Sequence, residues 1–160
     1  MKYSVLLDTS FFIRLLNDQD PLHNNARRYY KYFLEENITL KVSTISIAEY
    51  CVKGKLEDLP LINIQILPFN LFDAQRTGQF AKVIFNENNV LPEKLLPRAI
   101  IPNDSKLFAQ ADIDKTITHF ITSDARSTKT YQMLTKQIRP KFLIIDIAIP
   151  HDEAFGVLSF

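Results

Sequence analysis

At 160 residues and 46% hydrophobic, the chain can bury one substantial core but is too short for two ordinary domains, so a single domain over residues 1–160 is expected. Lys and Arg total 19 against 18 Asp and Glu, a formal net charge of +1, so no global excess of charge points to a nucleic-acid or membrane partner and any nucleic-acid contact is left to a local patch. A lone cysteine, Cys51, rules out an internal disulfide, and His23, His119 and His151 lack the spacing of a zinc site. The apolar run before Asp8 is too short for a signal peptide or a membrane span, so a reducing, cytoplasmic setting without membrane attachment is expected.

Tyr3 to Leu7 is a short apolar run that ends at Asp8, the pattern of a buried strand emerging at a sheet edge. Ser10 to Asn17 places Phe11, Phe12, Leu15 and Leu16 at helical spacing, and Pro21 opens a second helix reaching about Glu36. Thr39 to Ser43 is β-rich, and Ser46 to Leu56 carries Ile47, Cys51 and Val52 on one helical face, which makes Cys51 a small core residue. Ile62 to Leu67 reads as the third strand, stopped by Pro68, and Leu71 to about Asn86 as a long helix. Between Asn88 and Asn103, Pro92, Pro97 and Pro102 indicate a loop or a short helical turn. Asp104 starts a helix with Leu107, Phe108 and Ala111 on one side. His119 to Thr122 is the fourth strand, Ser127 to Ile138 the last long helix, and Phe142 to Ile145 the fifth strand, before a tail from Pro150 that reads as loosely held. Alternating strands and helices of these lengths predict an α/β fold, a three-layer α/β/α sandwich around a central, mainly parallel five-stranded sheet.

In such a sheet the strand C-termini and the following helix N-termini share one edge, where ligands bind. Asp8 ends strand one, Asp124 follows strand four, Asp104 opens the helix leading into strand four, and Glu49 lies about one turn into the helix after strand two. Taken singly, the three aspartates read as helix caps and Glu49 as a solvated helix residue. Capping does not account for their apolar flanks, Val5-Leu6-Leu7 before Asp8 and Ile45 to Ala48 before Glu49. Four carboxylates tethered to buried elements repel one another unless a cation neutralises them, and hard oxygen donors suit one or two Mg²⁺ or Mn²⁺ ions. Asp8, Asp104 and Asp124 are the expected metal ligands, with Glu49 supporting metal or water. Thr9, Ser10, Thr122 and Ser123 are placed to orient carboxylate or water.

These residues also carry a family resemblance. Val5-Leu6-Leu7-Asp8-Thr9-Ser10-Phe11-Phe12-Ile13 resembles the opening of PIN-domain nucleases, and Val42-Ser43-Thr44-Ile45-Ser46-Ile47-Ala48-Glu49-Tyr50 looks like their second acidic motif. Asp104 with Ala109 and Ala111, and Ile121-Thr122-Ser123-Asp124, are similar to the third and fourth. In size the chain is closest to the VapC-type toxin ribonucleases of toxin-antitoxin pairs. The resemblance implies a PIN-like fold, Mg²⁺ or Mn²⁺, endonucleolytic cleavage of RNA leaving a 5′-phosphate and a 3′-hydroxyl, and an antitoxin partner. The family often has Asn where Ser10 stands, and the segment around Pro92 to Pro102 matches none of its elements.

Rival motifs fail on single residues. A haloacid-dehalogenase phosphatase needs Asp where Ser10 stands, a metal-dependent adhesion site needs Ser where Phe12 stands, and no acidic pair or Gly-rich phosphate loop precedes Asp8. A PIN-like module that only binds RNA or assembles, and a DNA-directed nuclease, are the two alternatives to an RNA-cleaving enzyme. Arg14, Lys53, Lys106 and Arg126 are candidate contacts to a phosphodiester backbone. The run from Arg27 to Phe33 mixes basic residues with Tyr29, Tyr30, Tyr32 and Phe33, which pack the helix or stack bases. The aromatic surplus, 12 Phe and 6 Tyr including Phe72 and Phe80, predicts residual exposed apolar surface and a homodimer.

Overall fold

The computed structural model describes residues 3–87 and 103–157. The expected loop from Asn88 to Asn103 lies outside them except for Asn103 itself. The elements are β1 (Ser4–Leu7), α1 (Thr9–Leu15), α2 (His23–Glu35), β2 (Thr39–Ser43), α3 (Thr44–Tyr50), β3 (Ile64–Leu67), α4 (Leu71–Glu87), α5 (Asn103–Ile113), β4 (Ile117–Thr122), α6 (Ala125–Thr135), β5 (Leu143–Asp146) and α7 (His151–Phe155). The strands form one parallel sheet in the order β3-β2-β1-β4-β5. The chain leaves β1 toward β2 and β3, then crosses back to place β4 on the other side of β1. The topological switch point therefore lies between the carboxyl ends of β1 and β4, the position at which open α/β sheets bind ligands.

Period-two alternation along the strands splits the core into two layers. Val5 and Leu7 of β1 face one way with Phe11, Phe12, Tyr29, Phe33 and Val42. Leu6 faces the other with Phe80, Leu107, Phe108, Phe120 and Phe142. Helices α1, α2 and α3 cover the first layer; α4, α5 and α6 cover the second. At the edge away from the switch point, the buried Lys41 ammonium is 2.5 Å from Asp114 and 2.9 Å from the Thr116 hydroxyl. Burial opposes ionisation of Asp114, yet Lys41 and Thr116 hold its carboxyl below the usual range.

Four sequence expectations change here. Helix α3 starts at Thr44, capped by the Ser43 hydroxyl on the Ile45 amide at 3.0 Å, and ends at Tyr50. Cys51 and Val52 consequently lie beyond the helix and are exposed, so Cys51 is not a core residue. Ile62 sits in a 3₁₀ turn (Leu61–Asn63) at 95% exposure, and β3 begins only at Ile64. The described part of the tail, residues 150–157, is tied down: Tyr29 donates to the Ile149 carbonyl at 2.6 Å, and Phe155 packs on Tyr32, Phe33 and His119 with ring centroids 5.1–5.9 Å apart. Tyr29, Phe33 and Phe80 are wholly buried, which removes them from any surface for RNA bases or a second copy.

Candidate active site

Register places the acids. Leu7 pairs with Ile121 across β1 and β4, so Asp8 and Thr122 come level at the switch point, and the Asp8 amide donates to the Ile121 carbonyl at 2.9 Å. Asp8 is 5% exposed. It caps α1 through the Thr9 amide at 2.8 Å and accepts from the Ser10 hydroxyl at 2.7 Å and the Thr122 hydroxyl at 2.9 Å. Desolvation by burial pushes its carboxyl up, these three donors pull it partly back, and Glu49 adds repulsion.

Asp104 stands in the first turn of α5 and accepts from the Ser127 hydroxyl of α6 at 2.9 Å. Burial first, and then the charges of Asp8, Asp124 and Glu49, raise its carboxyl to about 6 against the opposing hydrogen bond from Ser127. Hydrogen bonds join the four segments: Glu49 meets Thr9 beside Asp8 and Asn103 beside Asp104, and Thr122 meets both Asp8 and the Asp124 amide. Asp124 caps α6 through the Arg126 amide at 2.9 Å, and the exposed Arg126 guanidinium lies 3.7 Å away. Glu49, one residue before the end of α3, accepts from Thr9 at 2.5 Å and from the Asn103 amide. Capping and convergence therefore coexist for Asp8 and Asp124.

The hydroxyl residues form a web beneath the carboxylates. Ser10 accepts from the Ser123 amide at 2.9 Å, and Thr122 from the Asp124 amide at 3.0 Å. The Ser123 hydroxyl accepts from Arg14 at 3.3 Å. Arg14 is also 2.6 Å from Asp20, so much of its charge is already paired; it braces the crevice rather than offering a free cation. Lys106 donates to the Asn103 side chain at 3.2 Å, while Lys53 lies along a neighbouring groove. Asn103 and Ser127 escaped the sequence reading. Asn103 directly precedes Asp104 and Ser127 follows Asp124 by three residues, but nothing in a periodic pattern says which acid from another helix each one meets.

Among the described residues, no three Asp, Glu, His or Cys side chains form a ready coordination cage. Each carboxylate is turned to a hydroxyl or amide donor instead. The donor chemistry nonetheless fits a hard divalent cation: all the donors are carboxylate oxygens along one sheet edge, and Asp8 and Asp104 are raised first by burial and then by neighbouring acids. Beside the crevice runs a groove of about 890 Å³ between α1 and α3, lined by Ile13, Leu16, Tyr50, Val52 and Gly54, where a Cβ at Gly54 would collide with the Tyr50 ring.

No protein-family model and no curated protein matches the sequence. Solved structures do match. FitAcB from Neisseria gonorrhoeae aligns with a TM-score of 0.60 at 18% identity over 90% of this chain and 98% of that one. VapBC2 from Rickettsia felis, bound to a DNA fragment from their promoter, gives 0.56 at 17% over 89% and 97%. DNA-bound VapBC from Salmonella typhimurium gives 0.55 at 16% over 91% and 98%. The chain has the PIN-domain fold. Within this PIN-domain fold, the carboxyl edge of the sheet is where Asp8, Glu49, Asp104 and Asp124 gather, and among the described residues no helix is long and apolar enough to cross a membrane.

Proposed function

We propose that the protein is a metal-dependent endoribonuclease. The observation that carries this reading is Asp104, lifted to about 6 by burial and by Asp8, Asp124 and Glu49 together. Such a carboxylate cluster is stable at neutral pH when a cation offsets it. Asp8, Asp104 and Asp124 would hold Mg²⁺ or Mn²⁺, one ion or two, which supplies positive charge to the phosphate oxygens and acidifies an attacking water. Ser10 and Thr122 hold Asp8 in place and favour its ionised form against burial, Ser127 does the same for Asp104, and Arg126 beside Asp124 and Lys106 beside Asn103 would meet a phosphodiester backbone. Water attack places the new oxygen on phosphorus and breaks the bond to O3′, so the products carry a 5′-phosphate and a 3′-hydroxyl.

The test is cleavage of end-labelled RNA and DNA oligonucleotides of the same sequence with Mn²⁺ or Mg²⁺. RNA products should ligate through their 5′-phosphates. Products ending in a 2′,3′-cyclic phosphate would contradict the water-attack scheme, and preferential cutting of DNA would reassign the substrate.

The likeness to VapBC and FitAcB structures extends the reading to partners. We propose an antitoxin that covers the acidic crevice and lays apolar side chains along the groove of Ile13, Leu16 and Val52, three side chains that are 40–78% exposed. A homodimer remains part of the proposal, now resting on exposed Ile62, Leu71 and Phe72 rather than on Tyr29, Phe33 or Phe80. A cytoplasmic location accords with this partner.

A further inference from the structure

The basic and aromatic run from Arg27 to Phe33 divides by face along α2. Tyr29 and Phe33 are in the core, Tyr32 packs on His151 and Phe155, and the Tyr30 hydroxyl accepts from the Asn63 side chain at 3.3 Å, so the rings are occupied within the fold. The cations are on the solvent side. Asn24, Arg27, Arg28 and Lys31 are all exposed and stand at i, i+3, i+4 and i+7, one face of roughly 10 Å of helix, where they line a surface hollow of about 690 Å³. Among the described residues neither Arg27 nor Arg28 enters an ion pair. Lys31 pairs only with Glu35, 3.6 Å away with the two side chains 75% and 62% exposed, a contact that leaves its charge open to solvent. In a chain of net charge +1, three such cations on one face are a local concentration and not a share of a general excess.

The start of α2 is fastened to the sheet edge that carries the acids. His23 Nδ1 lies 3.1 Å from the Arg14 carbonyl, and Arg14 reaches Ser123. Asn25 donates to the Ile147 carbonyl at 2.8 Å, and the Ile147 amide donates to the Thr122 carbonyl at 2.9 Å. Glu35 and Glu36, both exposed, close the far end of the helix with negative charge. We propose that Arg27, Arg28 and Lys31 form a landing track for phosphates of the RNA strand to one side of the scissile bond, entered from the Ser123 side of the crevice and ending before Glu35. This rests on the RNA-cleaving reading above. The track reads charge and not base identity, because among the described residues no ring on this face is free to stack a base, and it needs no divalent cation to act.

The experiment is fluorescence anisotropy of a labelled single-stranded RNA of about 20 nucleotides with chelator-treated full-length protein, over a range of salt concentrations. Each phosphate contact to a single strand contributes about 0.7 to the fall of log affinity with log salt. Arg27→Ala/Arg28→Ala should therefore lower that slope by about 1.4 and weaken binding about tenfold at low salt, and Lys31→Ala should lower it by about 0.7. Arg27→Lys/Arg28→Lys, which keeps both charges, should retain the wild-type slope. So should Lys82→Ala, which removes an exposed cation from α4 over the opposite face of the sheet. An alanine double variant with the wild-type slope would mean that the phosphates land elsewhere. A slope that Lys82→Ala lowers as far as the double variant does would mean that binding follows net charge. Either result, or wild type that binds no RNA in chelator, would overturn the track. Wild type that binds with the predicted slopes but cuts no RNA once Mn²⁺ is added would end the nuclease reading and leave the track standing.

Discussion

Asp8→Asn should abolish RNA cleavage while the protein stays folded and, without metal, at least as stable as wild type. Loss of one ligand removes transition-state charge stabilisation worth several kcal/mol. At 1.36 kcal/mol per decade, about 4 kcal/mol corresponds to roughly a thousandfold in rate. Stability moves the other way because Asp8 is 5% exposed and its ionised form is opposed by burial and by Glu49. The amide keeps an oxygen for the Thr9 cap, and Thr122 and Ser10 are hydroxyls that can reorient to accept. Cleavage assays and thermal melts on the two proteins, side by side, read both effects. An Asp8→Asn protein that fails to fold with and without Mn²⁺ would mean that the carboxylate is retained for capping.

Asp104 predicts an unusual pH dependence. Its folded carboxyl is raised from the ordinary 3.8 to about 6, so the folded state binds the proton more tightly than the unfolded chain. The associated stability is fully present below the unfolded value and is lost as pH rises through about 6. Two units at about 1.4 kcal/mol each give at most roughly 3 kcal/mol. Without metal, the change in melting temperature from pH 7.5 to pH 5 should therefore favour pH 5 more in wild type than in Asp104→Asn, which keeps the raised Asp8 and the lowered His119. Asp20 and Asp114 are held low and act only below the ordinary carboxylate range, while His119, lowered by burial, is common to both proteins and cancels in the comparison. Mn²⁺ should shift the balance toward pH 7.5 in wild type, because its ligands must be ionised, and should do little for Asp104→Asn. Identical pH profiles for the two proteins would sink the electrostatic account of the crevice.

All five strands, and the sheet edge to which Asp8, Asp104 and Asp124 belong, were legible from alternation and apolar runs, because strand ends in a parallel sheet leave little freedom. Element boundaries were less so. Ser43 reads equally as strand end or cap, and its capping bond to Ile45 moves α3 two residues earlier and ejects Cys51 and Val52 from the core. Ile62 looked like strand because it is apolar and precedes Asn63-Ile64, yet the 3₁₀ turn points it at solvent. The tail looked loose because its five-residue helix has no strong pattern of its own; its order comes from Tyr29, Tyr32 and Phe33 on a helix over a hundred residues away. The same reason hid Asn103 and Ser127, whose roles depend on which distant carboxylate they meet.

An acidic crevice that cleaves RNA with a divalent cation must be inactive without one. The most direct measurement is single-turnover cleavage of an end-labelled RNA by chelator-treated protein as Mn²⁺ is added back. Cleavage that is absent without metal, rises with Mn²⁺ to saturation and stays absent throughout in Asp8→Asn is the predicted result. Cleavage that proceeds in excess chelator, or that Asp8→Asn retains at the wild-type rate, would contradict it.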